Sequence, residues 1–408
     1  MSFLYRIGVG LYYFTILFAS LFNPKAKLWV QGRKNWRINL KHKLHGNSGS
    51  IWIHCASLGE FEQGRPIIDA LKKQHPQRKI LLTFFSPSGY EIRKNYNQAD
   101  YVFYLPLDTN RNAIDFLSIV KPSLVFFIKY EFWFCFLSQI KSQNIPFYLV
   151  SANFRNGQPF FKWYGAWWQS MLKCYTHIFV QNTLSASLLS SIGIKNFSVA
   201  GDTRFDRVYH LALNKKEIDL AREFKNNSPV LIAGSTWPLD ERALVQYIRN
   251  DNSNWKYIIA PHEIKESNIQ NLLSNLEGIK TFRFSQKEIE NINEFKVLII
   301  DNIGLLSSLY QYGNIAYLGG GFGSGIHNTL EAAVYGMPIV FGPKYSMFKE
   351  AVDLVNLKVA YAINNAGDLS LVLEKLKVDQ ALLESSSQIS ADYVNANVGA
   401  TQLIIDFI

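Results

Sequence analysis

From residue 50 onward, short β-rich apolar runs alternate with segments patterned as helices, and no other property of the chain limits its fold so narrowly. Parallel strands joined by helical crossovers give a sheet covered by helices. In the first half the strand candidates are residues 51–55, 80–85, 101–105, 124–128, 147–151 and 177–180, enough for one complete α/β domain. Polar, helix-forming residues follow 199–201, and a second series opens at 230–233 and continues through 257–260, 297–300, 315–318 and 338–341, after which the chain reads as helices. A length of 408 residues suits two domains of roughly 150 to 200 residues each. The expected division is an N-terminal element over 1–45, domains over 46–205 and 206–385, and a C-terminal helix over 386–408 packing back on the first domain. Two such sheets in succession place a cleft between them, faced by strand C-terminal ends and helix N-termini.

Charge is unevenly spread. The formal net charge is +10, and residues 1–50 hold Arg6, Lys25, Lys27, Arg33, Lys34, Arg37, Lys41 and Lys43 without one Asp or Glu. A basic, aromatic-rich segment is able to bind nucleic acid. Here, however, it flanks an uncharged apolar run, Ile7 to Pro24, which makes a membrane surface the better partner, and no nucleic-acid partner is expected. The run's 18 residues stand at the short edge of what crosses about 30 Å of hydrocarbon, so spanning and shallow insertion both stay open. It lacks an A-x-A-like cleavage site and basic residues follow it, the pattern of an uncleaved anchor that keeps the rest of the chain cytoplasmic. The alternative is an apolar helix packed on the protein's own body.

Cys55, Cys135 and Cys174 form no C-x-x-C pair, and the eight histidines form no H-E-x-x-H cluster. Neither a disulfide framework nor a zinc site is indicated, and no bound catalytic metal is expected.

Four motifs carry candidate chemistry. In IWIHCASLGEFEQGR, residues 51–65, a buried strand enters a small-residue turn and Glu60 stands at a helix start. Ser57-x-x-Glu60 has capping-box spacing, while a helix N-terminus also favours the ionised carboxylate that a general base needs; the two readings are compatible. In FFIKYEFW, residues 126–133, Glu131 follows an apolar strand among aromatic groups, either for a purpose or as an ordinary charge at a helix start. In AGDTRFDR, residues 200–207, Arg204 lies between Asp202 and Asp206 and Arg207 directly follows Asp206. They read either as a clamp for phosphate or carboxylate or as a local ion-pair network.

The fourth motif, IAYLGGGFGSGIHNTLEAAVYG over 315–336, is a strand, a glycine-rich turn and a helix carrying Asn328, Thr329 and Glu331. Glycines let backbone amides approach an anion that a helix N-terminus also attracts. No register satisfies G-x-G-x-x-G, so an NAD-type fingerprint is unsupported. One turn into that helix, Glu331 is in reach of the hydroxyls of a ribose, or is a solvated helix residue. Gly234-Ser235-Thr236 and Pro261-His262-Glu263 end the first two strands of the second series. His262 is able to stack on a base, though a lone loop histidine is more often structural.

Taken in order, these residues resemble the 3-deoxy-D-manno-octulosonic acid (Kdo) transferase family over most of the chain. The resemblance comprises the apolar N-terminus with its basic flank, H-x-x-S-x-G-E at His54 to Glu60, S-P-S-G at Ser86 to Gly89 and Y-L-P-L-D at Tyr104 to Asp108. It continues with E-x-W at Glu131 to Trp133, G-x-x-x-F-D at Gly201 to Asp206, G-S-T at Gly234 to Thr236, and G-G-G-F…G-x-H-N-x-L-E-A-A at Gly319 to Ala333.

The resemblance implies an α/β GT-B fold: two Rossmann-like domains facing across a cleft, with an N-terminal membrane-associated helix. It implies an inverting, lipid A-specific transferase using CMP-Kdo as donor and a lipid A precursor, lipid IVA, as acceptor, at the cytoplasmic face of the inner membrane and without a cofactor. It also implies roles. Glu60 is the base, Glu131 and Arg204 stabilise the transition state, and Ser57, Gly59, Arg65, Ser86 and Ser88 meet the acceptor. CMP falls to Ser235, Thr236, Pro261, His262, Ile303, Gly304, Leu305, Gly321, Asn328, Thr329, Leu330 and Glu331.

The sequence departs from the family in three places. Arg204 stands where lysine is usual, Pro261-His262 where the family has Arg-His, and Ile303-Gly304-Leu305 where it has Met-Gly-Glu. Fold and glycine-rich loop alone do not name the donor. Another nucleotide sugar on a lipid-linked acceptor, or a non-catalytic membrane protein that binds nucleotide or anionic lipid, are the competing readings.

Overall fold

The computed structural model describes residues 1–46, 49–286 and 290–408. The chain divides into two compact units, Met1–Arg207 with Gly399–Ile408, and Val208–Val398. The division falls inside one helix, Thr203–Leu213.

Unit one holds seven parallel strands: β1 Ile51–Cys55, β2 Ile80–Phe84, β3 Tyr101–Tyr104, β4 Leu124–Ile128, β5 Phe147–Ala152, β6 His177–Val180 and β7 Phe197–Val199, in the order β3-β2-β1-β4-β5-β6-β7. Every residue of β1, β2 and β4 is buried, as expected for a parallel sheet covered on both faces. Alternation sorts the side chains. Ile51, Ile53 and Cys55 pack with Phe61, Ile67 and Ile68 of helix Leu58–Gln74, while Trp52 packs on the other face with Phe116 and Phe136.

Unit two holds β8 Val230–Thr236, β9 Lys256–Pro261, β10 Thr281–Arg283, β11 Val297–Ile299, β12 Ile315–Leu318, β13 Ile339–Phe341 and β14 Ala360–Ala362, in the order β10-β11-β9-β8-β12-β13-β14. In each sheet the order reverses beside the first strand, at β1/β4 and at β8/β12. Crevices for ligands form at such switch points, outside the carboxyl ends of the strands.

Eleven of these fourteen strands match sequence expectations to within a few residues. The three missed, β7, β10 and β14, are three-residue edge strands with a single partner each. Too short to show a period and paired on one side only, they carry no readable signal. In consequence the chain after residue 341 is not all helix: β14 precedes helices Ala366–Val378, Gln380–Asn395 and Ala400–Phe407.

Two expectations about the ends need correction. The segment 386–408 is not one helix. Gln380–Asn395 belongs to unit two, Gly399 takes φ +117°, and Ala400–Phe407 joins unit one. The carboxylate of Asp206 holds that last helix, accepting from the amides of Gly399 at 2.6 Å and Thr401 at 2.8 Å and from the Thr401 hydroxyl at 2.8 Å.

At the other end, the run Ile7 to Pro24 is not one helix either. Helix Ser2–Ala19 stops, and Asn23 caps a second helix, Pro24–Gln31, through the amides of Lys25 and Ala26. Nor is 1–45 a separate element. Trp29, Leu40 and Leu44 are buried, and Arg37 reaches Asp115 at 2.6 Å, so the basic flank is built into unit one. Helix Ser2–Ala19 is long and apolar enough to cross a bilayer, and none of its residues is buried.

Candidate active site

At the first switch point, β1 and β4 deliver two carboxylates. Ser57 caps helix Leu58–Gln74 by accepting from the Gly59 amide at 3.2 Å, and it donates its hydroxyl to Glu60 Oε2. The Ser57–Glu60 pair is therefore joined side chain to side chain, and the half-exposed Glu60 sits in the first helical turn, where the helix dipole favours its charge.

Glu131, after β4, is only 4% exposed. A buried carboxylate needs donors, and it has them. His54 Nε2 donates to Oε2 at 3.0 Å, the Trp133 indole N–H donates to the same oxygen, and the Tyr175 hydroxyl donates to the Glu131 main-chain carbonyl. His54 is itself fixed from behind, with Nδ1 2.9 Å from Thr83 Oγ1, which also accepts from the Trp52 indole at 2.8 Å. This follows from register, because His54 on β1 is aligned with Thr83 on β2 and Phe127 on β4. Burial pushes the Cys55 thiol well up, and the charges of Glu60 and Glu131 push it further, so it stays protonated beside both carboxylates.

Arg204 comes not from a loop but from the first turn of helix Thr203–Leu213, which follows β7. Its guanidinium pairs with Asp202 at 2.7 Å, and Gln63, on the helix that begins beside Glu60, donates to the same carboxylate at 3.2 Å. Burial alone raises the Asp202 pKa, but Arg204 and these hydrogen bonds outweigh it and hold the carboxyl below its usual value. The ion-pair alternative for this motif thus has a geometric basis, although Arg207 pairs with Glu62 at 2.7 Å and not with Asp206.

Ser86 caps the helix Pro87–Arg93, with its hydroxyl 3.0 Å from that of Ser88. This turn lies directly against the Ser57 loop, since the Ser86 amide donates to Ala56 O at 2.7 Å. A Cβ on Gly89 would come within 3.0 Å of the Ser57 carbonyl carbon. Ser57, Gly59, Glu60, Ser86 and Ser88 therefore form one wall, while Arg65 lies further along the helix, 3.6 Å from Asp69.

The sequence reading missed Arg33. Its buried guanidinium donates to the carbonyls of Phe85 at 2.7 Å, Leu105 at 2.8 Å and Trp29 at 3.0 Å and lies 3.8 Å from the Trp29 ring centre. Burial draws its pKa down to about 9. It fixes the carbonyl immediately before Ser86. A count of basic residues could not separate this inward arginine from exposed lysines nearby.

At the second switch point, the glycine-rich turn after β12 packs against the end of β8. A Cβ on Gly319 would stand 2.2 Å from Ser235 O, and one on Gly321 2.6 Å from Gly342. Backbone approaches backbone there, which only glycine permits. Buried Asp240, unflagged by any motif, ties the turn down by accepting from the Gly320 and Trp237 amides, each at 2.9 Å, and from the Tyr317 hydroxyl at 2.8 Å. Thr236 bonds Glu241 at 3.0 Å and lies opposite Pro261, and the His262 amide donates to Thr236 O at 2.9 Å. The His262 ring stacks on Trp237 and His327, with centroids 4.5 and 4.7 Å away. That gives the structural alternative for this histidine a physical form.

Asn328 and Thr329 precede the helix they were expected to occupy, which runs only from Leu330 to Ala333, and Glu331 lies in its first turn. Asn328 stands just before the N-cap Thr329, accepting from Leu330 N and donating to Glu331 Oε1, both at 3.2 Å, whereas the buried Thr329 hydroxyl has no partner among the described residues. Ile303, Gly304 and Leu305 lead into helix Leu306–Leu309, with Ile303 exposed and Gly304 at φ +88°. Among the described residues no group of three or more His, Cys, Asp or Glu side chains is arranged to hold a metal ion.

Residues 32–207 match the family described as 3-deoxy-D-manno-octulosonic-acid transferase (kdotransferase). A 3-deoxy-D-manno-octulosonic acid transferase of Haemophilus influenzae is 26% identical, the match covering 96% of this chain and 94% of that one. One of Aquifex aeolicus is 28% identical over 87% of this chain and 94% of its own. Acinetobacter baumannii MurG aligns with a TM-score of 0.56 and 12% identity, over 88% of this chain and 99% of its own. UDP-GlcNAc 2-epimerase of Methanocaldococcus jannaschii aligns with a TM-score of 0.54 and 16% identity, over 80% and 92%. At such identities the structures speak for the fold alone. Two Rossmann-like units, the motif order and relatives matched along most of their length agree: the chain has a GT-B fold, carries a Kdo transferase family domain over residues 32–207, and is similar over most of its length to glycosyltransferases named as Kdo transferases.

Proposed function

We propose that the chain transfers Kdo from CMP-Kdo, with inversion, to the lipid A precursor lipid IVA at the cytoplasmic face of the bacterial inner membrane. The observation that supports this most is Glu60. It is a half-exposed carboxylate at a helix N-terminus, held by Ser57 at the switch point of the first sheet and walled by Ser86 and Ser88. Glu60 takes the proton of an acceptor hydroxyl as its oxygen attacks the anomeric carbon. The bond from that carbon to the CMP phosphate breaks, and the phosphate leaves with the electron pair. Glu131 and Arg204 act electrostatically on the charge that moves. CMP is a good leaving group, so positioning and electrostatics are chemically adequate without a metal.

Unit two takes CMP. The backbone around Gly321, with Ser235 and Thr236, meets the phosphate. Asn328, Thr329, Leu330 and Glu331 meet the ribose, and Pro261, His262 and Ile303 to Leu305 border the base, mainly through backbone atoms.

A lipid acceptor is favoured by an apolar groove of about 390 Å³ beside the same wall, lined by Tyr5, Gly8, Val9, Tyr12, Phe85, Leu107 and Trp133. It runs along helix Ser2–Ala19, the segment we assign to the membrane, and ends at the residue that bonds Glu131. Lys25, Lys27, Lys34, Lys41 and Lys43 are exposed nearby in sequence and suit acceptor phosphates.

Incubating purified protein with CMP-Kdo generated in situ and dispersed lipid IVA tests this by mass spectrometry. Mass gains in whole Kdo units are expected. No gain, with a known transferase active alongside, would move the reading to another nucleotide sugar.

A further inference from the structure

One aromatic element of unit one has no role in the site. Residues 159–172, PFFKWYGAWWQSML, fold as a short turn Pro159–Phe161, a reversal, and helix Ala166–Leu172. Trp163 at its tip is 95% exposed and Tyr164 is 52% exposed, their rings 5.5 Å apart. Trp is ordinarily among the more buried side chains, so an outward Trp–Tyr pair is informative.

The tip is held in shape. The Gly165 amide donates to Lys162 O at 2.8 Å, and Gln169 donates to Phe160 O at 2.9 Å. A Cβ at Gly165 would come within 2.9 Å of three carbonyl oxygens, so the reversal admits only glycine. Behind the tip, Phe160 is buried on Phe132, with centroids 4.6 Å apart.

Two further observations choose the occupant. The element adjoins helix Ser2–Ala19, because the Trp167 ring lies 5.6 Å from Tyr5 and 5.3 Å from Phe134. It also belongs to a second stretch without acidic residues. Residues 132–201 contain Lys141, Arg155, Lys162, Lys173 and Lys195 and no Asp or Glu. Arg155, Lys162 and Lys173 are exposed. Tryptophan and tyrosine with an apolar body and a polar tip concentrate at membrane–water interfaces, and basic residues add attraction to anionic head groups.

We infer that residues 159–172 form a second membrane-contacting element, in which Trp163 and Tyr164 enter the interfacial layer of an anionic bilayer alongside helix Ser2–Ala19. This rests on the proposed membrane seat of that helix. Removing residues 1–24 then leaves a residual affinity for anionic vesicles that depends on Trp163.

The test uses the full chain with Cys174→Ser, Cys55 and Cys135 being buried, and a nitroxide on Trp163→Cys or on Phe14→Cys. Accessibility to oxygen and to a nickel chelate is read with and without vesicles of phosphatidylethanolamine and phosphatidylglycerol. Both labels are expected to become shielded from the chelate, and Trp163→Ser with Tyr164→Ser is expected to weaken vesicle binding roughly tenfold or more. Activity on detergent-dispersed acceptor is expected to be kept. A shielded label at 14 with an open one at 163 would overturn the inference and leave the helix as the membrane seat, whereas two open labels would overturn both. Concentration-dependent immobilisation at 163 without vesicles would assign the patch to a second copy of the chain and also overturn it.

Discussion

Glu60 and Glu131 carry the same charge but sit in opposite surroundings. Glu60 is half-exposed, bonded by one hydroxyl and free to meet a substrate, whereas Glu131 is buried and shares one oxygen between His54 and Trp133. A base must exchange its proton; a fixed charge must not move. Glu60→Gln is therefore expected to lower kcat by roughly 10²- to 10⁴-fold, the usual worth of a positioned base, with CMP-Kdo binding retained in a titration. Unchanged turnover would remove Glu60 from the mechanism. His54 is fully buried and bonds Glu131. His54→Phe is expected to leave Glu131 short of a donor, losing about 1–3 kcal/mol in urea unfolding together with activity, while His54→Gln, which restores an N–H, recovers part of both. Equal behaviour of the two variants would show that the bond does not matter.

At the scale of elements, the last helix is tied into unit one by a buried carboxylate. Asp206 satisfies three donors at the start of helix Ala400–Phe407. Its loss leaves those donors unmatched, and Phe407 then loses its place against His177 and Phe179. Asp206→Ala is expected to cost about 2 kcal/mol, as for a strong N-terminal cap, and to raise hydrogen exchange across 399–408. Exchange unchanged in that segment would show that apolar contacts alone hold it. The segment was read in sequence as one long helix because nothing in the apolar pattern separates residues 380–395 from 400–407; the break comes from Gly399 at positive φ. In the same way the sequence placed Asn328 and Thr329 inside a helix. Asn and Thr are ordinary residues for the start of a helix, and the pattern alone did not show that the helix begins only after them.

For the whole molecule, acid acts through buried titrating groups in each unit. Burial, reinforced by His262, draws His327 in unit two down from 6.5 to about 4. A histidine kept neutral in the folded state takes its proton first when unfolded, so its contribution is complete above about 6.5 and is lost as pH falls from about 6.5 towards about 4. Asp202 in unit one is displaced below 3.8, so its stabilisation persists at that pH and is lost only in stronger acid. Burial also lowers His177 in unit one, so acid is expected to weaken both units, and the share that His327 contributes in unit two is what His327→Phe, which keeps a stacking ring, is expected to flatten in pH-dependent hydrogen exchange. An unchanged pH profile of unit two in that variant would contradict this.

The amino-acid sequence by itself determined the two parallel sheets, because buried β-branched runs alternating with helical periods leave few other arrangements. It also marked the candidate site residues, because Glu60, Glu131 and the glycine-rich turn lie just after strands β1, β4 and β12. What only the tertiary structure decided are the pairings made across strands and loops. These are His54 on Glu131, Asp202 on Arg204, Arg33 on three carbonyls and Asp240 on the glycine turn. A polar residue in a sequence shows its donors and acceptors but not its neighbours. Register and loop packing supply the neighbours, and burial then makes each unmatched group costly enough that the pairing is fixed.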